Sequence, residues 1–391
     1  MLTFNIIPAS GAGKVQSATP LIIWADGTEL SAMRAAAAGF TAKYGVPVTV
    51  TEVNFFESRD KFIQAAPEGK GPDILVGVHD ILGGLVAGGL LEPVNLTNRN
   101  KIGLVQSALD AFTYNGKVYG LPYGIDALAM YVNTKLVPAI PTTWTQLMAT
   151  SKKLQESGKA KYGVALLDAN PYFAYPLFGA FGGYVFGKNA DGSYNEDDLG
   201  LDSAGSIAAA QAIASAVTQG LLVKGLDYGT MQSLFYDGKI GMMFDGPWSF
   251  DGVKNSKVPF TIAKIPAGTS PATPFIGVRG IMVSSFSKNK LAANVFLSDY
   301  MGTTESMQKM IAGKVTASAW KLLNMKPSNP LMKKFGASAA DGQPTPAIPA
   351  MGLVWEQWGK AMTSLLAGGS DPAAVMKSAA ANIRAAIKKS K

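Results

Sequence analysis

The chain has 391 residues, of which 48% are hydrophobic and 16% charged, a composition typical of a soluble globular protein with large cores. This length exceeds the roughly 250–300 residues over which a single core keeps growing, so two domains are expected. The net charge of +8 comes from Lys and Arg residues that are scattered rather than arranged in a basic stripe, which argues against nucleic-acid binding. The chain has no cysteine, which excludes disulfides and thiolate metal sites, and its single histidine, His79, excludes a His-rich metal site.

Residues 1–19 are predicted to form a disordered leader. The segment starts with apolar residues, but no basic residue precedes them, and Pro8, Gly11 and Gly13 interrupt it. It therefore does not have the pattern of an intact signal peptide.

The next segment alternates between strand and helix patterns. Leu21–Trp24 and Val48–Val53 are predicted strands, and Thr28–Tyr44 between them is a predicted helix. Such a βαβ unit predicts a largely parallel sheet. A further strand at Ile74–Val78 precedes a predicted helix at Ile81–Leu90.

Three acidic residues follow these strands. Asp26 and Glu29 come after the first strand, and Asp80 follows the strand at Ile74–Val78. Ligand crevices in open parallel sheets lie beyond the carboxyl ends of the strands, so the three acids are expected at one shared edge. His79, next to Asp80, is expected to pack or to cap a loop without contacting a ligand.

Two long, glycine-marked segments are predicted to cross between lobes. Lys117–Asn133 is too long and too glycine-marked for one compact strand, and Pro274–Val283 is again punctuated by glycine and flanked by strands. If both segments are hinges, both lobes are discontinuous. We predict an N-terminal lobe of residues 20–124 plus 281–318 and a C-terminal lobe of residues 125–280 plus 319–391.

The remaining segments complete two α/β lobes. Between the crossings we predict helices at 144–157, 203–219 and 231–236 and strands at 163–166, 240–244 and 260–265. After the second crossing we predict helices at 290–301, 304–311, 353–366 and 372–388, with residues 336–349 as a surface linker.

Four aromatic clusters stand beside turn-forming residues. A large ring at the end of an element, next to Asp, Asn, Gly or Pro, is available to line a cleft, and a flat apolar face beside hydrogen-bonding groups suits a sugar ring. The alternative for each cluster is an ordinary core anchor. The clusters are Ile23–Gly27, Asn170–Tyr175, Asp245–Phe250 and Trp355–Trp358.

From about Leu21 to the C-terminus the chain resembles the periplasmic maltose/maltodextrin-binding protein family, the soluble components of sugar ABC importers. The resemblance rests on the order and spacing of short segments rather than on any one of them. The matching segments are Leu21–Trp24, Gly71–Ile74, His79-Asp80, Gly83-Gly84, Tyr114–Lys117, Pro171–Phe173, Pro176-Leu177, Gly246–Trp248, Phe275–Val278, Ile348-Pro349, Met351 and Trp355.

The resemblance implies an α/β fold of two lobes, each with a mainly parallel sheet flanked by helices, joined by hinge strands and closing on a sugar. By position it implies stacking on Tyr172, Trp248 and Trp355, with Trp24 supporting the cleft wall. It implies that Asp80 and Asp126 accept hydrogen bonds from sugar hydroxyls, since carboxylates are strong acceptors, while Asp26 and Glu29 line the site. Each acid has the alternative of a helix cap or a solvated charge.

Several positions depart from the family pattern. Gly77, Ile81 and Gly359 stand where the pattern has a tryptophan and two arginines, Glu29 replaces a lysine, and Asn170, also predicted to bind ligand, replaces a glutamate. Three cationic donors and one ring are therefore missing. Arg279, in the second crossing, is predicted to compensate by holding paired hydroxyls or a carboxylate such as Asp126, the alternative being a solvated arginine.

We predict that the protein captures a maltose- or maltodextrin-like di- or oligosaccharide without catalysis, cofactor or metal. We also predict that it is an exported monomer, located in the periplasm or outside the cell, and that it delivers its ligand to a membrane-embedded ABC permease. The alternatives are trehalose or another oligosaccharide, a polyamine, or, from another class, a glycoside hydrolase using Asp80 and Asp126 as its carboxyl pair.

Overall fold

The strands and helices follow the hydrophobic pattern of the sequence for most of the chain. The computed structural model describes residues 19–167, 170–190, 192–223, 225–312, 314, 316–324 and 330–390. The predicted leader, apart from residue 19, lies outside the described residues. Within the described part, no helix is both long and apolar enough to cross a membrane.

Strands occur from the first described segment to the last third of the chain. In chain order they are β1 Leu21–Ala25, β2 Val48–Glu52, β3 Ile74–Val78, β4 Leu91–Glu92, β5 Thr113–Tyr114, β6 Lys117–Val118, β7 Gly120–Ala127, β8 Ala129–Asn133, β9 Tyr162–Ala165, β10 Phe186–Lys188, β11 Tyr194–Leu199, β12 Ile240–Asp245, β13 Phe260–Ala263, β14 Phe275–Ser284, β15 Ala317–Ser318 and β16 Gln343–Pro344.

Helices separate and cover these strands. In chain order they are α1 Leu30–Tyr44, α2 Phe55–Ala65, α3 Leu82–Ala87, α4 Asn98–Gly103, α5 Gln106–Ala111, α6 Trp144–Glu156, α7 Pro171–Ala180, α8 Ala204–Thr218, α9 Tyr228–Tyr236, α10 Phe250–Asn255, α11 Lys290–Val295, α12 Thr304–Ile311, α13 Lys321–Asn324, α14 Pro330–Ala339, α15 Pro349–Ala367 and α16 Pro372–Ser390. His79–Ile81 and Pro247–Ser249 form short 3-10 turns, and Phe296–Met301 continues α11 as a π-helix.

Two sheets organise the molecule. The larger has the order β15-β7-β14-β3-β1-β2, with β4 and β16 also paired to β14, and the smaller has the order β13-β8-β12-β9. Strands β1, β2 and β3 are parallel, as the βαβ pattern predicts. The sheets are nevertheless mixed rather than mainly parallel, because β14 pairs antiparallel with both β3 and β7 and β8 pairs antiparallel with β12 and β13.

Each sheet carries its own hydrophobic core. The core on the larger sheet includes Phe40, Phe112 and Phe296, and the core on the smaller sheet includes Tyr131 and Trp358. The α/β class with two lobes is thus confirmed. Strands β7 and β14 run through both predicted crossings, and the predicted lobe boundaries within them stay a prediction.

The predicted surface linker at 336–349 is wrong. Its first part belongs to α14, and Gln343–Pro344 pairs with β14 as strand β16. Thr345 is buried, and its backbone N–H donates to the carbonyl of Ile276 at 3.1 Å. A two-residue strand with a proline at its end has no periodicity that a sequence pattern can detect.

Helix α2 and helix α7 were not predicted. Asn54 begins α2 by accepting a hydrogen bond from the backbone N–H of Phe56 at 2.9 Å. Asn170 begins α7 in the same way, accepting from the N–H of Tyr172 at 3.1 Å, with Pro171 in the first turn. These caps fix the positions of Phe55 and Tyr172, which both line the site described below.

Candidate functional site

The site lies where β7 and β14 run side by side. Gly277 pairs with Asp126 and Arg279 with Gly124, but Gly280 pairs with Pro122, so Tyr123 is an extra residue in a β-bulge. Bulges change the direction in which neighbouring side chains point and are frequent next to functional sites. This one sits beside both Asp126 and Arg279.

The Arg279 guanidinium is the centre of an acid–cation cluster, which we define as Asp26, Glu29, Asp126, Arg279 and Lys314. The Arg279 Nε donates to Asp126 Oδ2 at 2.6 Å. The Nη1 atom contacts Glu29 Oε1 at 3.2 Å and Asp26 Oδ2 at 3.4 Å. Lys314 forms an ion pair with the other carboxylate oxygen of Glu29. The cluster therefore joins β7, β14, the loop after β1 and the segment before β15.

The charges of the cluster nearly balance. Its three carboxylates face two cations, and the Arg279 side chain is only 10% exposed. Burial opposes the charge of Arg279, but the carboxylates of Asp126, Glu29 and Asp26 outweigh it and raise the arginine pKa well above its usual value. Arg279 consequently stays charged, and its guanidinium is paired with the three carboxylates of the cluster rather than left for a ligand.

Two polar atoms beside the cluster are buried and have no hydrogen-bond partner among the described residues. They are Asp126 Oδ1 and the hydroxyl of Tyr123. Burial raises the pKa of Tyr123 well above its usual value, so its hydroxyl remains a donor. Buried polar atoms are nearly always hydrogen-bonded, so these two mark a place where a ligand or a water can bind.

Four aromatic rings extend from the cluster, and we call them the ring row: Trp248, Tyr172, Phe275 and Trp355. The ring centroids of Trp248 and Tyr172 are 6.3 Å apart, those of Tyr172 and Phe275 are 6.2 Å apart, and those of Phe275 and Trp355 are 6.0 Å apart. Trp248, Tyr172 and Trp355 are only partly buried. The row therefore offers ring surface for apolar contact with a ligand.

A polar network fixes Trp248. Its indole Nε1 donates to the Tyr228 hydroxyl at 2.8 Å, and this hydroxyl lies 3.2 Å from Asp245 Oδ1. Gln232 also donates to the Tyr228 hydroxyl, at 2.9 Å. Burial raises the pKa of Asp245 to about 6, while the hydroxyls of Ser249 and Tyr228 work in the opposite direction.

The cluster and the ring row meet at Arg279. Its Cζ lies 5.8 Å from the ring centroid of Trp248 and 5.9 Å from that of Phe55, distances at which a cation is attracted to a ring face. Phe56 makes an edge contact with Tyr228 at a centroid distance of 6.3 Å. Helix α2, beside the larger sheet, thus contacts the polar network of the smaller-sheet lobe, and the cleft is closed at this point.

Comparison with known proteins identifies the family. Residues 35–348 match the family model described as bacterial extracellular solute-binding protein. The chain belongs to this family. It is 28% identical to a galactooligosaccharide-binding protein of Bacillus subtilis, over 97% of this chain and 92% of the relative.

Two further relatives are named for oligosaccharides of the maltose series. A maltooligosaccharide ABC transporter solute-binding lipoprotein of Streptococcus pneumoniae is 27% identical over 97% of this chain and 90% of its own length. The maltodextrin-binding protein MdxE of Bacillus subtilis is 28% identical over 81% of this chain and 78% of its own length.

In this extracellular solute-binding protein, the contact predicted between Arg279 and Asp126 is present, and the alternative of a solvated arginine is wrong. Asp26 and Glu29 join the same cluster. Tyr172, Trp248 and Trp355 lie in the ring row. The structure brings these residues together, while their contact with a ligand stays a prediction.

The other predicted site residues stand outside the cluster and the ring row. Asp80 lies in the 3-10 turn after β3, where burial raises its pKa to about 6 and Arg59 opposes the shift. The Asn170 side chain caps α7. Trp24 packs partly buried against the larger-sheet core. Ligand binding by Asp80, Asn170 and Trp24 therefore stays a prediction.

His79 packs within the protein, as predicted. It is fully buried, its Nδ1 accepts from the backbone N–H of Val278 at 3.0 Å, and its Nε2 lies 3.0 Å from the carbonyl of Thr345. Burial lowers the pKa of His79 to about 4, so it is neutral near pH 7. The ring holds β14 to the segment after β16.

Three residues of the site escape sequence analysis. The family pattern has three cationic donors that this sequence lacks, and Lys314 supplies one cation to the site. Phe55 places a ring beside Arg279, although Gly77 stands where the pattern has tryptophan. Tyr228 supports Trp248. Lys314 and Glu29 are 285 positions apart, so no local pattern reveals their contact. For Phe55 a local signal exists, because Asn54 is a helix N-cap residue type and predicts a helix that starts at Phe55.

Proposed function

We propose that this protein captures an oligosaccharide of hexoses in the cleft between its lobes and delivers it to a membrane-embedded ABC permease, without catalysing a reaction. The observation that carries this proposal is the ring row ending at the acid–cation cluster. Ring faces suit the apolar faces of sugar rings, and the neighbouring carboxylates suit their hydroxyls. A ligand spanning both would contact both lobes.

The unpartnered groups supply the polar contacts. Asp126 Oδ1 accepts a hydrogen bond from a sugar hydroxyl, and the Tyr123 hydroxyl donates one. Arg279 holds the other oxygen of Asp126, and so fixes where Asp126 Oδ1 points. In this proposal Arg279 acts mainly by orienting Asp126, while Asp80 is a further acceptor at the edge of the cleft.

The sugar is proposed to be a maltodextrin-like chain, with a galactooligosaccharide as the second candidate. Relatives named for maltooligosaccharide and maltodextrin support the first. The second is supported by the relative named for galactooligosaccharide, which matches 97% of this chain, and by the departures at Gly77, Ile81 and Gly359. The two sugars differ in hydroxyl orientation, which a cleft of fixed acceptors distinguishes.

The charge of the cluster does not favour a polyamine. Arg279 and Lys314 already neutralise most of the charge of Asp26, Glu29 and Asp126, and a cationic ligand would meet both of these cations. We therefore propose a neutral ligand.

A glycoside hydrolase needs two facing carboxyl groups, one with a raised pKa. Asp80 has such a pKa, about 6, because of its burial. Asp126, however, is bound to Arg279, and the family is one of solute-binding proteins. We propose that the protein is not an enzyme, and an absence of new reducing ends after incubation with a maltodextrin tests this.

The family's extracellular character supports export to the periplasm or the cell surface, and the ABC transporter named for the pneumococcal relative supports a permease as partner. The protein is proposed to act as a monomer. Size-exclusion chromatography with light scattering, with and without sugar, measures its oligomeric state.

The decisive experiment is calorimetric titration with maltose, maltotriose, trehalose and β-1,4-galactooligosaccharides, with spermidine as the cationic control. We expect micromolar or tighter binding of at least one oligosaccharide and none of spermidine. Small-angle scattering with the bound sugar is expected to show a smaller radius of gyration, because a ligand that contacts both lobes favours the closed state. Absence of binding by every sugar would overturn the proposal.

A further inference from the structure

A cavity opens beside the core of the smaller sheet, at the C-terminal end of α7. Its volume is about 400 Å³, near the lower end of the roughly 300–1,000 Å³ of sites that bind small molecules. Its walls come from the end of α7 and the residues after it, from the segment before β14, and from β16 with the residues just before it. None of the described wall residues belongs to the acid–cation cluster or to the ring row.

Tyr175 forms the floor of the cavity. The residue is fully buried, and its hydroxyl has no hydrogen-bond partner among the described residues. Burial raises the pKa of Tyr175 above its usual value, and the hydroxyl of Thr273, another wall residue, lies close enough to oppose part of this shift. The hydroxyl end of Tyr175 therefore faces the cavity and stays protonated. Buried polar atoms are nearly always hydrogen-bonded, so this donor marks a place where a ligand can bind.

Two glycines keep the cavity open. A Cβ atom at Gly179 would lie 1.5 Å from Thr273 Oγ1, so any other residue at this position would displace Thr273 from the cavity. Gly182, just after α7, has a φ of +79°, a conformation that favours glycine, and no side chain extends from it over the mouth. The floor and the mouth of the cavity thus both depend on the absence of a side chain.

The chemistry of the walls suits a neutral molecule. Most of the lining surface is apolar, and Ser270, Thr273 and Gln343 add uncharged polar side chains. Asp341 is the one charged residue among the described walls, and its Oδ2 pairs with Lys264 Nζ at 2.6 Å. Apolar surface with a few hydroxyl and amide groups matches a ligand that has both C–H faces and hydroxyls, as a sugar or a polyol does.

The cavity adjoins the ring row through Tyr175. The rings of Tyr175 and Phe275 stack with a centroid distance of 3.6 Å and an interplanar angle of 7°. Gln343, on another wall, pairs with Phe275 between β16 and β14. A ligand that binds Tyr175 and Gln343 consequently restricts Phe275, which lies between Tyr172 and Trp355 in the ring row.

We infer that this cavity is a second ligand site, separate from the cleft, which binds a small polyol or a single sugar unit and so strengthens binding in the cleft. The second site does not depend on the proposed function, whereas its effect on the cleft rests on it. The effect is reciprocal, because a ligand in the cleft must raise the affinity of the cavity by the same factor.

Saturation-transfer NMR with glucose, galactose and sorbitol as probes tests the second site. The cleft is first filled with the oligosaccharide that binds it most tightly, and we expect at least one probe to give a signal that this oligosaccharide does not displace. Ser270→Trp fills the cavity from an exposed position and should abolish the signal. Thr269→Trp, at the neighbouring exposed position outside the cavity, should leave the signal unchanged.

Three results would overturn the second site: no signal from any probe, a signal that disappears when the cleft is filled, or a signal that is equal in the two variants. If no oligosaccharide binds, the proposed function fails instead. The comparison of Ser270→Trp with Thr269→Trp, made with the probes alone, then still tests the cavity.

Tyr175→Phe distinguishes a hydroxyl that binds ligand from one that holds the fold. Because the hydroxyl has no partner within the described protein, its removal should not lower the melting temperature, but it should weaken probe binding by at least about threefold. Tyr131→Phe is the control, since the Tyr131 hydroxyl donates to the carbonyl of Gly246 at 3.0 Å and its loss should lower the melting temperature. An equal fall in both variants, with probe binding intact, would show that the Tyr175 hydroxyl is structural.

Calorimetric titration of the oligosaccharide, with and without saturating probe, measures the effect on the cleft. We expect the wild-type affinity to rise about fivefold with the probe present, and the affinity of Ser270→Trp to stay the same. A probe that competes within the cleft would lower the affinity in both proteins. That result, or an unchanged wild-type affinity, would contradict the link through Phe275.

Discussion

The acid–cation cluster and the ring row are adjacent but are built on opposite principles. The cluster consists of buried charges that are held by one another, with Arg279 in contact with three carboxylates. The ring row contains no charge, and three of its four rings are only partly buried. Buried charges destabilise a fold unless they are paired, whereas partly buried rings can remain uncovered until a ligand arrives.

This difference indicates that the cluster and the ring row have separate roles, one in stability and the other in ligand affinity. The cluster must be formed before any ligand binds, so its residues should matter first for stability. The ring row is completed only by the ligand, so its residues should matter first for affinity. The following variants test that division.

The largest effect is expected from Arg279→Met. It leaves Asp26, Glu29 and Asp126 without their common cation, and breaking a buried pair in this way lowers the free energy of unfolding by about 3–5 kcal/mol. Urea unfolding followed by tryptophan fluorescence measures it. Lys314→Met is the matched control, because Lys314 is 23% exposed and, among the residues that the structure describes, forms its ion pair with Glu29 alone, so its effect should be smaller. Equal losses in both variants would contradict the central place of Arg279.

A large effect on affinity with little loss of stability is expected from Trp355→Ala. The ligand loses a ring contact of about 0.5–1.5 kcal/mol in addition to the apolar area covered, so all sugars that reach Trp355 should bind more weakly. Trp144→Ala is the control, since Trp144 is also partly buried in the same core but pairs with Phe181. Titration of both variants should show the loss only for Trp355; a similar loss for Trp144 would mean that the effect is structural.

An intermediate effect is expected from Tyr228→Phe. This variant keeps the ring but removes the oxygen that accepts from the Trp248 indole and approaches Asp245. An unpaired buried donor costs about 1–3 kcal/mol, and part of this should appear as weaker sugar binding through a displaced Trp248. Quenching and wavelength of tryptophan emission report the displacement. Tyr236→Phe, on the same helix, should change neither emission nor affinity.

The smallest effect is a dependence of affinity on pH. The pKa of Asp80 is raised to about 6, so as the pH falls through 6 its carboxylate becomes protonated and is a weaker acceptor for sugar hydroxyls. Affinity should fall a few-fold between pH 7 and 5.5, and Asp80→Asn should reduce this dependence to the part that comes from Asp245, whose pKa is also raised to about 6. If the variant keeps the same profile, Asp80 does not contact the sugar.

Over the same pH range, Asp80 and His79 change the stability of the fold in opposite directions. A carboxyl group with a folded pKa above its unfolded value of 3.8 binds protons more readily in the folded state, so Asp80 adds stability as the pH falls from about 6 toward 4. His79, with a pKa lowered to about 4, removes stability over a similar range as the pH falls below its unfolded value of 6.5. Thermal unfolding at each pH separates stability from affinity.

Local patterns predict the parts of the fold that depend on local contacts. Strand β1, helix α1 and strand β2 follow their hydrophobic periodicity. Tyr172 and Trp248 stand at the start of a helix and in a 3-10 turn, as their sequence clusters indicate, whereas Trp355 lies inside helix α15. The family's fold also follows from its motifs.

Contacts between distant segments are not predictable in the same way. The pairing of Lys314 with Glu29 depends on β15 lying next to β7, and the burial of Thr345 depends on β16 lying next to β14. Both strands have two residues, too few to show a period. The mixed direction of the larger sheet likewise follows from the crossing strands, whose pairing partners lie more than 100 positions away.

Strand β14 links the two parts of the site mechanically. It begins at Phe275 in the ring row and carries Arg279 four residues later, a span of about 13 Å along an extended strand. A rotation of the lobes about other points leaves this span unchanged, so the middle of the ring row and the guanidinium keep their separation in an open cleft. An arriving sugar can then make its first contacts along β14, between Phe275 and Arg279, whose separation is the same in the open and the closed protein. Closure of the lobes adds contacts from residues on either side of this strand.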